Sequence, residues 1–259
     1  MLETFERFLE NLPLEEYKEK YSQIKTVEQN LPRTLNPLRL LYKHYWKPNI
    51  KGDGQSRCPF PPFDEFFKKW WKENPKKLCE FIEKHFWGCS LNFVKLGLEA
   101  RLYRTATSVW TQFHLAYLWK KASRLKIRAS WELDAKEGID AVIRVDGKLE
   151  VGLQVKKESH RTEAGRSDRF SQKKKSMPIV EVPYTLASVS ELKDTARKAR
   201  SKEEEYSLWI KVAEELRPLS NGFVVFKDSY VRKLEAFLLK EGRSLPELTS
   251  WREIAEKIL

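Results

Sequence analysis

Gly138-Ile139-Asp140-Ala141-Val142-Ile143-Arg144-Val145-Asp146-Gly147-Lys148-Leu149-Glu150-Val151-Gly152-Leu153-Gln154-Val155-Lys156-Lys157 reads as two β-strands joined by a tight turn. Ala141, Ile143 and Val145 alternate with other residues before Asp146-Gly147, a strong turn dipeptide, and Leu149, Val151, Leu153 and Val155 alternate after it. Successive side chains of a strand point to opposite sides, so these apolar residues share a core face. The other face carries Asp140, Val142 and Arg144 on the first strand and Glu150, Gly152, Gln154 and Lys156 on the second. An acid, an amide and a lysine thus occupy one surface.

The two apolar sets meet on one side only if the loop has an odd length, because a one-residue slip turns one set to solvent. A three-residue loop, Asp146-Gly147-Lys148, sets Val145 opposite Leu149, Arg144 opposite Glu150 and Asp140 opposite Gln154. Pairing Arg144 with Lys148 would oppose like charges. In the preferred register Asp140 and Lys156 converge at the open end of the hairpin.

An acid on one strand and [Asp/Glu/Gln]-x-Lys on the next is the arrangement that metal-dependent phosphodiester cleavage needs. The carboxylate holds Mg²⁺, which polarises the phosphate and acidifies an attacking water. The lysine adds a positive charge at the nucleophile or at the developing phosphorane. The pattern resembles the PD-(D/E)xK nuclease signature, with Gln154 standing in the acidic slot. The same alternation also describes an ordinary amphipathic hairpin with a polar outer face, so the motif alone leaves both readings open.

The whole chain narrows the choice. With 259 residues, 41% of them hydrophobic and 12% aromatic, a substantial core is expected, organised as one domain. Lys and Arg number 49 against 37 acids, a net charge of +12 that suits a polyanionic partner. No stretch is long and apolar enough to span a bilayer, and Leu2 to Leu9 is amphipathic rather than a secretory signal. Cys58, Cys79 and Cys89 fall at unrelated spacings, which suits reduced thiols in a prokaryotic cytoplasm and matches no common zinc pattern.

The section to about residue 90 reads as helices. Asn36-Pro37 is an N-cap with proline at the first helical position, opening a helix to Trp46. Helices over 63–74 and 76–87 carry Phe63, Phe66, Phe67, Trp70, Trp71 and Phe81 at core or interface spacing. A long helix over about 92–121 carries Glu99, which can reach toward a metal site or pair with Arg101 or Arg104, and His114, read as a packed histidine. Residues 127–134 read as the first strand and 136–137 as a short turn before the hairpin. Further strands are expected at 178–183 and 222–226, one or two helices at 190–216, and a helix at 228–241 capped by Gly242.

Several longer words go further: Leu2-Glu3-Thr4-Phe5-Glu6-Arg7-Phe8-Leu9, His44-Tyr45-Trp46-Lys47-Pro48-Asn49, Leu96-Gly97-Leu98-Glu99-Ala100-Arg101-Leu102-Tyr103-Arg104-Thr105-Ala106, Val180-Glu181-Val182-Pro183-Tyr184-Thr185-Leu186 and Asn221-Gly222-Phe223-Val224. In order, and nearly end to end, they resemble the TaqI restriction endonuclease family. The resemblance implies an α/β fold with an αβββαβ restriction-endonuclease-like core, a small mixed sheet and a large helical N-terminal section. It implies a Mg²⁺-dependent type II enzyme cutting double-stranded DNA within TCGA to leave 5′ overhangs, accompanied by a DNA methyltransferase of the same restriction system. Asp140, Gln154 and Lys156 match its active site, and Asp134 matches a second upstream aspartate, with one more residue in the intervening turn than the family pattern. Asp140 with Asp134 or Glu99 would hold the metal, and Lys157 is the alternative lysine if a bulge shifts the strand.

From Lys156 to Lys175 eight basic residues face three acids. Lys173, Lys174 and Lys175 suit phosphate contacts, and Arg161, Arg166 and Arg169 are candidates for bidentate contact with guanine. Ser159, His160 or Gln172 could complete a contact with adenine. A palindromic site is most simply served by a two-fold homodimer. A structure-specific repair or junction nuclease and a non-catalytic nucleic-acid-binding protein are the competing readings.

Overall fold

The structure, a computed structural model, describes residues 1–22, 24, 31–46, 59–158, 176–198 and 202–259. Two compact units follow one another, Glu3–Phe113 and His114–Leu259. No helix among the described residues is long and apolar enough to cross a membrane.

The first unit is helical: α1 (Leu2–Glu10), α2 (Leu14–Ser22), a 3-10 turn at Arg33–Leu35, α3 (Leu38–Leu41) running into a π turn at Tyr42–Trp46, α4 (Phe63–Glu73), α5 (Pro75–His85) and α6 (Leu91–Ala122), which continues into the second unit. Asn36 Oδ1 accepts the Leu38 N–H at 2.9 Å, so the Asn-Pro start works as the sequence suggests. Pro75 is the first residue of α5 rather than a break before it. The aromatic residues form the core of this unit. Phe8 packs edge-on against Trp110 at 5.3 Å between ring centroids, Tyr45 against Trp110 at 5.4 Å, and Phe63 against Tyr103 at 5.2 Å. Phe63, Phe66, Phe67, Trp70 and Phe81 are buried, so of the core and interface readings the core one holds for them, while Trp87 and Phe93 are exposed.

The second unit contains β1 (Lys126–Arg128), α7 (Trp131–Glu137), β2 (Ala141–Arg144), β3 (Glu150–Lys157), β4 (Ile179–Tyr184), α8 (Val189–Lys198), α9 (Glu203–Glu214), β5 (Leu216–Pro218), β6 (Val224–Phe226), α10 (Asp228–Glu241), β7 (Leu248–Thr249) and α11 (Trp251–Lys257). Among the described residues the main sheet has five strands in the order β1-β2-β3-β4-β7, antiparallel from β1 to β3 and parallel from β3 to β7. This is the small mixed sheet of a restriction-endonuclease-like α/β fold.

The hairpin has the expected odd loop. Arg144 pairs with Glu150 and Ala141 with Leu153, while the Val145 N–H donates to Leu149 O at 2.9 Å. Asp146 Oδ1 accepts the N–H groups of Lys148 and Leu149 at 3.2 and 2.9 Å. These bonds, that to Leu149 first, hold its carboxyl below the usual range. Glu150 lies 2.8 Å from Arg128 and 3.3 Å from Arg144, which lowers its pKa in the same way.

Two expectations change, that of the first strand and that of the hairpin's polar face. The first strand spans only Lys126–Arg128, and the segment carrying Asp134 is helix α7, where helix-forming Glu, Leu, Ala and Lys lie between Ser130 in extended conformation and Gly138 in the left-handed region. The strand expected at 222–226 is present as β6, paired with β5 in a separate two-stranded sheet. Gly242 follows α10 as its C-cap, as expected, with a right-handed backbone (φ −52°) that opens a 3-10 turn. The polar face of the hairpin is covered at its centre, where Ile139, Val142 and Ile179 form a buried cluster with Leu133 and Met177 against it.

Gly152 lies under that cluster, and a Cβ there would stand 3.1 Å from Ile139 Cγ2 and 3.3 Å from its Cδ1. Gly152→Val should therefore destabilise the protein by about 1–3 kcal/mol through overpacking. Urea denaturation monitored by fluorescence measures this, and an unchanged midpoint would show that Ile139 can give way.

Candidate active site

The site is built where α7 hands over to the hairpin. The N–H of Gly138 donates to Asp134 O at 3.0 Å and that of Ile139 to Leu133 O at 3.4 Å, closing the helix. At φ +67° Gly138 takes a conformation that L side chains resist, and the turn sends the Ile139 side chain into the core. Asp140 follows as a buried acid.

Asp140 binds β3 twice. Its N–H donates to Leu153 O at 2.9 Å, and its Oδ2 accepts the Val155 N–H at 2.6 Å. The regular ladder ends at Ala141–Leu153, and the Asp140 side chain takes over the acceptor role beyond it. The expected pairing of Asp140 with Gln154 is replaced by a carboxylate that spans Gln154 and lands on the next residue of the strand. A short bond to a backbone amide fixes the direction of the carboxylate.

Gln154 is half-buried beside the Gly138 turn, its Nε2 only 3.4 Å from where a Cβ on Gly138 would stand. Lys156, two residues on and on the same face, is half exposed, with Nζ 3.6 Å from Oε1 of Glu181 on the neighbouring strand. Lys157 points to the opposite face by alternation. Asp134 sits half-buried on α7. The structure thus brings Asp140, Gln154 and Lys156 together around one strand and sets Asp134 on the helix leading into it.

Glu99 is claimed elsewhere. Buried on α6, it accepts from Lys20 Nζ at 2.7 Å and from the Tyr21 hydroxyl at 2.9 Å, rather than pairing with Arg101 or Arg104. His114 is buried with its ring 6.4 Å from that of Phe226, a packed histidine as read from the sequence. Among the described residues no three His, Cys, Asp or Glu side chains cluster as a ready-made metal site. The donors at hand, the Asp140 carboxylate and the Gln154 amide oxygen, are hard oxygens and suit a hydrated divalent ion that takes few protein ligands. Arg161, Arg166, Arg169, Lys173, Lys174 and Lys175, with Ser159, His160 and Gln172, lie outside the described residues.

Glu181 was not singled out from the sequence. It is 8% exposed, and Oε2 accepts the Trp251 N–H at 3.0 Å. Its signal was an acid inside the apolar strand Ile179-Val180-Glu181-Val182, a position that demands a partner.

The chain matches the TaqI restriction endonuclease family across residues 2–238. It is 51% identical over 259 residues to the type II restriction enzyme TthHB8I of Thermus thermophilus, covering 100% of this chain and 96% of that protein. It is likewise 51% identical over 258 residues to the type II restriction enzyme TaqI of Thermus aquaticus, covering 100% of this chain and 95% of the relative. No solved structure matches the chain.

The partners of Glu99 give it a structural role that can be separated from metal binding. Glu99→Ala strips the Tyr21 hydroxyl and Lys20 of their acceptor and should cost about 1–3 kcal/mol of stability. Measured at a temperature where the variant stays folded, the divalent-cation concentration giving half-maximal activity should not move. A raised cation requirement with unchanged stability would make Glu99 a ligand instead.

Proposed function

The chain belongs to the TaqI restriction endonuclease family and is a type II site-specific deoxyribonuclease, and we propose that it cuts both strands of duplex DNA at TCGA with Mg²⁺, leaving 5′ overhangs. The observation that carries the catalytic assignment is the Asp140 carboxylate tied to the Val155 N–H at 2.6 Å, on the strand that also carries Gln154 and Lys156. Membership of the family sets aside the junction-nuclease and non-catalytic readings.

Type II restriction enzymes use a divalent metal. Here Asp140 and Asp134 would hold Mg²⁺, with the Gln154 amide oxygen as a neutral donor. The ion, when bound, supplies charge neutralisation at the phosphate and acidifies the attacking water. The protein's own contribution is orientation. Val155 directs the Asp140 carboxylate, and Lys156 Nζ offers a mobile positive charge to orient the nucleophile or to neutralise charge developing on the phosphate oxygens. Lys173, Lys174 and Lys175 follow the phosphates, while Arg161, Arg166 and Arg169 read guanine edges. The active form is a homodimer whose axis coincides with that of the palindrome. A cytoplasmic methyltransferase of the same system protects host sites; it is a functional partner rather than a bound one.

Digestion of a plasmid of known sequence with Mg²⁺ gives fragments bounded by TCGA, and any other boundary overturns the specificity. On a TCGA duplex, Asp140→Asn should cut about 10²-fold more slowly or worse, the loss of several kcal/mol of metal-dependent stabilisation. Its affinity in Ca²⁺ should hold or rise, because a carboxylate beside the phosphate is gone. Wild-type cleavage by this variant would move the active centre elsewhere.

Changing Lys173, Lys174 and Lys175 together to Gln should weaken binding to cognate and unrelated DNA alike and reduce the salt slope by roughly three. Lost discrimination with an unchanged slope would place these lysines at base edges.

A further inference from the structure

In the parallel pairing of β3 with β4, Glu181 lies directly beside Gln154, and Lys156 pairs two residues further on with Pro183. Register partners on adjacent strands show their side chains on the same face. The lysine therefore leans back along the sheet to reach the acid one strand over, Nζ to Oε1 3.6 Å. The two ends of this contact differ in freedom. The Glu181 side chain is 11% exposed and its other oxygen is fixed by the Trp251 N–H at 3.0 Å, whereas the Lys156 side chain is 47% exposed. A buried carboxylate anchored to a backbone amide cannot follow a flexible chain; the ammonium comes to it.

We propose that Glu181 is the positioning residue for Lys156, supplying from the neighbouring strand the negative charge that the neutral Gln154 does not. The proposal rests on the reading of Lys156 as the catalytic lysine. In the nuclease pattern the residue two before the lysine is commonly acidic, and an acid there lies on the lysine's own face. With Gln154 in that place, the position two residues before the half-exposed Lys156 carries no charge to limit its rotamers, and ordering it costs side-chain entropy that an unassisted ammonium does not recover. Glu181 restores the charge without crowding the Asp140 carboxylate, because its oxygens face Lys156 and Trp251. It acts on Lys156 and does not itself touch the phosphate.

The test is a double-mutant cycle in single-turnover cleavage of a TCGA duplex, with enzyme in excess so that slow variants are measurable. Glu181→Gln keeps the shape and an acceptor for the Trp251 N–H but removes the charge. It should slow the chemical step about 10- to 100-fold, the scale set by misplacing a reacting group. Duplex affinity in Ca²⁺, and the Ca²⁺ concentration that supports it, should stay within about twofold, since Glu181 touches neither DNA nor cation in this scheme. In a Lys156→Ala background the same substitution should change the rate by less than about twofold, because there is no ammonium left to place.

Equal slowing by Glu181→Gln in both backgrounds would overturn the proposal while leaving Lys156 catalytic. A raised Ca²⁺ requirement for binding would overturn it as well, making Glu181 a cation ligand. So would loss of binding and thermal stability together, which would make its role structural. Wild-type cleavage by Lys156→Ala would overturn the catalytic reading of the lysine, and this proposal with it.

Discussion

The bond from the Val155 N–H to the Asp140 carboxylate, 2.6 Å long, sets the geometry of everything at the site. A side-chain oxygen stands where the next backbone carbonyl of β2 would have continued the ladder, so the acid is joined to the strand that bears the amide and the lysine. Distances among Asp140, Gln154 and Lys156 are then fixed by the 3.3–3.4 Å rise of one strand rather than by packing between separate elements. The approach to this bond is equally constrained. Helix α7 must end in a left-handed residue at Gly138, Ile139 must enter the core, and Gly152 must leave room for it.

What could be read from the sequence was local and periodic. The parity argument for the hairpin loop needed only the alternation of apolar residues and the charges of Arg144, Lys148 and Glu150, and the ladder follows it as far as Ala141. The helix over 228–241 and the strand at Ile179–Tyr184 were legible for the same reason, that their burial periodicity is written in consecutive residues. Helix α7 was not. Ile127 to Asp134 fits a two-residue period as readily as a helical one, and the deciding feature, Gly138 at positive φ, comes after the segment ends.

The remaining gaps were contacts between distant parts of the chain. Glu99 was read as reaching toward the metal or pairing with Arg101 or Arg104, yet it is bound by Lys20 and Tyr21, far away in sequence. Glu181 could be recognised as an acid in an apolar run, but its neighbour Gln154 becomes visible only once the parallel pairing of β3 and β4 is known. The aromatic residues were correctly placed on helical faces, and most of those singled out from the sequence meet in the core of the helical unit.

The far end of the hairpin is no ordinary surface tip. Gly242 leaves space where a Cβ would stand 3.2 Å from Val145 and 3.5 Å from Leu149, and Arg243 reaches Asp146 Oδ2 at 2.9 Å. Hairpin turns usually drift in length between relatives, because a solvent-facing loop tolerates insertion. This one is clamped, so a single added residue would reverse the facing of one strand and pull Asp146 from its arginine at once. Evolutionary variation in loop length should therefore be shut out of this turn and find room elsewhere on the chain, leaving the hairpin a fixed ruler from its tip to the acid at its base.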